Sequence, residues 1–301
     1  MLGAVACFVA MAAAVKLLRE GGLGTAEVML WRMAPGLPWV FWMLRQRGIS
    51  LRPHRPAAVA ARCLFGGLAM AAYFWALTSL TLLQHTVLYL TQPVFVAILA
   101  PLVVRERLRG AALVALPLAL TGAALVVVPG DLLRDSSFAE AHLDIPLLPA
   151  LMGLASAVLS ALAHVTIRRA TSARADDNVA ADAPEIIVLY FSLAVSTGAL
   201  IGSAANGFSM MPPELETTET VVLIALMATT GVIGQLLLSR AYARTDAPAV
   251  AIVGYARIPL SMAADVVLWG AAAGLPGWLG AATMVVAGIL LVRSGRDKPA
   301  R

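Results

Sequence analysis

The sequence predicts an all-α integral membrane protein of ten transmembrane helices in two inverted five-helix repeats. Three observations predict it. The 301 residues are 60% hydrophobic and only 13% charged, too few charges to cover a water-soluble globule of this size, so the bilayer must act as solvent. Apolar runs close to the roughly 20 residues needed to cross the hydrocarbon core recur along the whole chain, separated by short clusters of Arg, Asp, Glu, Pro and Gly. A Tyr-x-x-x-Pro segment occurs twice, at Tyr89 and at Tyr255, in corresponding positions of the two halves.

The runs place spans at 2–18, 26–44, 57–78, 85–104, 111–128, 145–167, 186–205, 220–239, 247–269 and 275–292, with no room for a separate soluble domain. The first run has the Ala-rich end of a signal peptide but lacks a basic leading region and continues to Leu18, so it reads as span one.

Basic residues are retained in cytoplasmic loops. Arg45, Arg47, Arg52, Arg55, Arg105, Arg107, Arg109, Arg168, Arg169, Arg174, Arg240, Arg244, Arg293, Arg296, Lys298 and Arg301 fall on one side of the predicted membrane. Only Lys16, Arg19 and Arg134 fall on the other, with the acids Glu20, Asp131, Asp135, Glu140, Asp144, Glu214, Glu216 and Glu219. This alternation predicts a multi-pass protein of the inner (plasma) membrane with both termini cytoplasmic. It also explains the pI near 9.7 as a topology signal, which leaves no basic face for nucleic acid.

A shift of 166 residues superposes Tyr89 to Pro93 on Tyr255 to Pro259 and carries Gly122 onto Gly288. Two landmarks at one offset in corresponding spans argue for duplication. The expected organisation is a first repeat at 1–128, an external linker at 129–144, a second repeat at 145–293 and a cytoplasmic tail at 294–301. Five spans per copy invert the second copy, an arrangement of carriers that alternate access around a midplane site.

The chain resembles the drug/metabolite transporter superfamily, specifically its EamA-type members. The residues that carry the resemblance are Val15-Lys16-Leu17-Leu18, Glu27 through Arg32, Arg62, Ala76-Leu77 and the run from Pro93 to Leu108. The resemblance covers nearly the whole chain, most clearly residues 1–128, and implies a ten-helix carrier whose cavity is lined by spans one to four and six to nine. One departure lies after span nine, where Gly270-Ala-Ala-Ala-Gly274 replaces the usual Gly-Glu pair and leaves Glu106 without a symmetric partner.

Pro93 and Pro259 lie near the middle of spans four and nine. Each proline frees the carbonyl four residues earlier, that of Tyr89 or Tyr255, and such groups persist in a membrane only where protein, water or ligand satisfies them. Either a packed kink or a cavity wall fits, and Tyr89 and Tyr255 can present hydroxyls to a solute. Arg257 falls near the midpoint of span nine, where a guanidinium costs about 2.5 to 3.5 kcal/mol unless another helix, water or an anionic solute compensates it. Arg32, a third of the way into span two, and Lys16, near the end of span one, join it as candidate substrate-binding residues. Arg62 reads as snorkelling from the end of span three.

Asp265 is the acid placed well inside a span, a candidate for proton coupling or for a helix-to-helix hydrogen bond. It lies eight residues beyond Arg257, roughly 12 Å along a helix, too far for a direct pair. His85 and His164 stand at opposite ends of spans four and six and read as interfacial, and Glu27 reads as a first-turn charge. Cys7 and Cys63 share no redox or metal-ligand spacing, and Gly66-Gly67, Gly277 and Gly280 fit close helix packing.

No catalytic motif, metal cluster or phosphate-cradling loop is present in the sequence, so no enzyme activity, cofactor or metal is expected. The expected function is secondary active transport of a small polar, carboxylate-bearing metabolite such as an amino acid or its derivative, by a monomer or homodimer in the lipid bilayer, with proton coupling as an option. Two alternatives stand beside it: export of lipophilic cations, for which Asp265 would serve, and a membrane scaffold subunit without transport.

Overall fold

The computed structural model describes residues 1–77, 88–89, 91–106, 111–127, 147–172, 179–206, 217–269, 278–280, 282–283, 285–287 and 289–290. His85, Gly277 and Gly288 lie outside them, as does the side chain of Asp265. The regular elements among the described residues are all helical: α1 (Leu2–Glu20), α2 (Thr25–Met33), α3 (Gly36–Gln46), α4 (Pro56–Leu77), α5 (Gln92–Val103), α6 (Ala111–Val127), α7 (Leu147–Thr171), α8 (Pro184–Asn206), α9 (Thr217–Arg244), α10 (Ala247–Val253), a 3-10 turn (Gly254–Ala256) and α11 (Arg257–Trp269). Further helical residues occur between Trp278 and Leu290.

Among the described residues, five helices are long and apolar enough to cross a membrane, lying in Leu2–Glu20, Pro56–Tyr73, Leu147–Thr171, Pro184–Ala204 and Thr217–Arg244. Shorter apolar helices cover Gln92–Val103, Leu113–Gly122, Ala249–Ser261 and Trp278–Ala287. Large apolar side chains point outward, among them Val267 (81% exposed), Leu102 (76%) and Leu147 (75%). Alanine, valine and serine recur among the buried residues. That distribution suits a lipid solvent, where the drive to hide leucine is gone and close approach of backbones favours small residues.

Among the described residues, several predicted spans are interrupted. The segment predicted as span two is divided into α2 and α3 at Ala34-Pro35, where proline supplies no N–H to continue the ladder. The segment predicted as span nine is divided by the 3-10 turn between α10 and α11.

The chain forms two compact units, each drawing on both halves of the sequence. The first comprises Gly3–Gly67 and Thr166–Arg244 and the second Leu68–Val165 and Thr245–Arg301. In the first, α2 and α3 each pack on α8 and α9. Glycines let α1 approach α9 in antiparallel register: a Cβ on Gly3 would lie 3.4 Å from Leu237, one on Gly231 would lie 3.4 Å from Met11, and one on Gly234 would lie 3.0 Å from Phe8. Val40 and Leu44 of α3, Ile186 and Val188 of α8, and Val232 and Leu236 of α9 form a buried apolar cluster.

Helix ends in this unit are closed by specific groups. Gly22 (φ 90°) and Gly48 (φ 61°) take the left-handed conformation after α1 and α3. They let Leu23 N–H reach Leu18 O (3.1 Å) and Ile49 N–H reach Leu44 O (3.0 Å), the capping pattern that satisfies terminal carbonyls. Arg168 donates to Tyr242 O (3.1 Å) and Ala243 O (3.0 Å) at the end of α9. Asp182, buried, accepts the backbone N–H groups of His54 (2.6 Å) and Arg55 (3.0 Å) just ahead of α4.

The same end carries a charge cluster. Glu185, with a side chain only 4% exposed, accepts from Arg47 at 2.9 Å and from Arg240 at 2.7 Å through the same Oε1. One carboxylate thus ties the end of α3, the start of α8 and the last turns of α9. Arg47 is 52% exposed, so its own contribution is screened by water.

Replacing Glu185 with Ala leaves two guanidinium groups that can still reach water, and unfolding stability in detergent should fall by about 1 to 2 kcal/mol. Arg47→Ala should cost less than about 1 kcal/mol. Thermal melts of the two purified variants against the wild type check the order.

Candidate functional site

In the second unit the break in span four forms around Thr91. Its hydroxyl donates to Leu88 O at 2.6 Å and its N–H reaches the same carbonyl at 3.2 Å. The helix restarts at Gln92, with Pro93 in the first turn of α5. Pro93 thus stands at the start of a helix rather than within one among the described residues. It stands where a missing N–H has no ladder to interrupt, a position that suits proline.

Two polar contacts join this break to α7. The Tyr89 hydroxyl lies 3.1 Å from Ser160 Oγ, and Gln92 Nε2 lies 2.8 Å from His164 Nδ1. Ser160 and His164 are four residues apart, a spacing that puts both on one face of α7. Tyr73 meets the Tyr89 ring edge-on, with centroids 5.3 Å apart. With Gln92 Nε2 as donor, His164 Nδ1 accepts and the ring proton sits on Nε2.

His164 is not at a helix end, because α7 continues to Thr171. It is half-buried, and Gln92 is 7% exposed. Sequence reading took His164 as interfacial and gave Gln92 and Ser160 no role. The signal available for them was polar side chains at helical spacing inside otherwise apolar runs.

In span nine, Tyr255 lies in the 3-10 turn and is buried, Arg257 is the first residue of α11 and half-buried, and Pro259 sits in the first turn of α11. The second proline thus also follows an interruption of the helix. Asp265 lies further along α11.

Glu106, which sequence reading left without a role, closes the other end of this helix pair. Arg105 adopts φ 53° after α5, an uncommon conformation for a side-chain-bearing residue. The turn brings Glu106 Oε2 to 2.8 Å from Ala247 N–H, at the start of α10, where a carboxylate satisfies a terminal donor and meets the positive end of the helix. α10 packs on α5 and α6.

The remaining candidates belong to the first unit. Lys16 in α1 and Arg32 in α2 are both half-buried. Arg62 does not snorkel: it is 4% exposed, and its guanidinium carbon lies 3.9 Å from the centroid of the Phe191 ring, a desolvated cation–π contact. Gly66 makes this possible, since a Cβ there would overlap Arg62 Nη1 and press on Phe191.

The chemistry on hand is hydrogen bonding and fixed positive charge inside apolar helices, and among the described residues no group of three or more His, Cys, Asp and Glu is placed to hold a metal. Residues 1–128 match the EamA-like transporter family. The Pseudopaline exporter CntI of Pseudomonas aeruginosa is 29% identical over 272 residues, covering 90% of this chain and 87% of that protein. A riboflavin transporter of Rhizobium johnstonii is 24% identical over 274 residues, covering 90% of this chain and 82% of that one. A protein of known crystal structure has TM-score 0.76 at 19% identity, with 96% of each chain covered, and shares the fold. The similarity is thus to proteins named as transporters, over about nine-tenths of this chain.

Gln92→Leu removes the 2.8 Å hydrogen bond between Gln92 Nε2 and His164 Nδ1. Stability should fall by about 1 to 2 kcal/mol, and thermal unfolding of the purified variant checks it.

Proposed function

We propose that the protein moves a small polar, carboxylate-bearing metabolite, an amino acid or a derivative, across the inner membrane by alternating access. Ten spans in two inverted repeats, 1–128 and 145–293, joined by a linker at 129–144 and followed by a tail at 294–301, carry this activity, with both termini cytoplasmic. Arg257, Arg32, Lys16, Tyr89 and Tyr255 contact the solute, Pro93 and Pro259 shape its site, and Asp265 is the candidate for proton coupling.

The observation that carries the reading is Arg257 at the first residue of α11, half-buried in an interrupted apolar span. Interrupted helices whose starting ends point at anionic solute groups are a recurrent device of carriers, and a guanidinium there adds a bidentate donor for a carboxylate. Duplication gains support from the two interruptions, because the turn at Thr91 and the 3-10 turn before Arg257 precede prolines that are 166 residues apart. The relatives' names favour transport over a scaffold role, and their two named solutes differ.

Purified protein reconstituted in vesicles should take up components of a radiolabelled amino-acid mixture. Arg257→Ala should reduce that uptake by about tenfold or more while membrane insertion is unchanged, with Arg257→Lys intermediate. Undiminished uptake by Arg257→Ala overturns the assignment of that residue. Resistance of a drug-sensitive host to quaternary ammonium compounds, lost in Asp265→Asn, would instead select cation export.

A further inference from the structure

One outward face of the first unit joins aromatic rings to arginines that the fold does not use. Along α3, Trp39, Phe41 and Trp42 are exposed, Trp42 to 58%, while Val40 and Leu44 among them are buried in the cluster with α8 and α9. Tryptophan concentrates where hydrocarbon gives way to lipid headgroups. That boundary falls here in the sequence, because the apolar run ends at Leu44 and Arg45, Gln46 and Arg47 follow.

The arginines beyond the boundary divide into two sets. Arg47 is held on Glu185, and the Arg55 guanidinium donates to the carbonyls of Val179 (2.9 Å), Arg169 (3.1 Å) and Ala180 (3.3 Å). Those two close the fold. Arg45 and Arg52 are exposed, and among the described residues neither pairs with a carboxylate. The sequence offers none nearby, since no Asp or Glu occurs between Glu27 and Glu106. Arg45 instead brings its guanidinium carbon to 5.3 Å from the centroid of the Phe41 ring, one turn back along α3. A guanidinium held over a ring keeps its forked N–H donors. Arg52 belongs to the same end of the unit: the chain turns at Gly48, and Leu51, just before Arg52, packs on the cluster that contains Val40 and Leu44.

Exposed rings below the boundary and a forked cation at it match a ligand with acyl chains and a phosphate. We propose that Phe41, Trp42 and Arg45, with Arg52 as a second cation at the same end, bind the headgroup region of an anionic phospholipid. The phosphate takes the N–H donors of Arg45, and the acyl chains lie along Trp42 and Trp39. A second copy docked on this face about a two-fold axis would set the same arginines against each other, with no acid in the segment to receive them. The site is a property of the α3 end and does not depend on which solute is carried.

Tryptophan fluorescence of the purified protein in phosphatidylcholine bilayers reads it. Brominated phosphatidylglycerol or brominated phosphatidylcholine is added as quencher, and the share of quenching lost in Trp42→Phe reports this face. The anionic lipid should be preferred there by roughly threefold or more. Arg45→Gln should bring the preference close to one, and Arg52→Gln should lower it in part, both at the wild-type melting temperature. A second readout needs no fluorescence: native mass spectrometry should find fewer phosphatidylglycerol molecules retained by Arg45→Gln than by the wild type. Equal quenching by the two lipids, or a preference and retention unchanged in Arg45→Gln, overturns the proposal. Loss of the preference in excess inorganic phosphate at constant ionic strength would mark a site for the free anion and overturn the lipid assignment. So would a wild-type dimer that Trp42→Ala converts to monomer, because a second copy would then cover the face. Neither readout involves uptake, so failure of the proposed solute class leaves this test intact.

Discussion

Everything in this molecule answers to one constraint: inside hydrocarbon, a peptide N–H or carbonyl must find its partner within the protein. Continuous helices such as α1, α8 and α9 meet it by their own ladders. The instructive places are where the ladder stops. After α1 and α3 a left-handed glycine folds the chain back on its last carbonyls. At the end of α9 the Arg168 side chain serves the same need, and ahead of α4 the buried Asp182 takes two backbone donors from the preceding turn. Side chains from one part of the sequence thus complete the backbone of another, which is how charged residues become structural in a chain with so few of them.

The same logic separates two kinds of charge. Glu185, Asp182 and Glu106 are acids at helix ends, each matched to arginines or backbone donors, and their placement follows from helix termination. Arg257 and Arg32 lie in interrupted apolar segments, and their placement does not follow from termination. A helix can be broken with proline and glycine alone. Placing a guanidinium at the break adds a desolvation cost that a helix, water or an anion must offset.

Much of the fold was legible because hydropathy is read one residue at a time. The limits of α1, α4, α6 and α8 differ by only a few residues from the apolar runs. The interruption of span two was not read, although Pro35 marks it, because the apolar run passes through it without a change in composition. Arg62 was misread as snorkelling for a different reason. Its contact with Phe191 depends on Gly66 being four residues away and on α8 supplying a ring, a relation across 129 positions of sequence that no local pattern contains. Gln92 and His164 were obscured likewise, since a polar contact between helices is visible only when both faces are known.

Under the proposed duplication the two interruptions do different work. In the first copy the residue at the break is Thr91, whose hydroxyl is spent on Leu88 O, and the next is Gln92, bonded to His164. At the same register in the second copy stand Arg257 and Ile258. The first interruption is thus closed by neutral hydrogen bonds to α7 and to its own turn, while the second replaces that polar pair with a cation followed by a buried aliphatic side chain. A neutral polar pair closes a break with short, directional hydrogen bonds. An arginine at the equivalent register brings a long, forked cation instead, so the two copies differ in charge at the same point of the repeat.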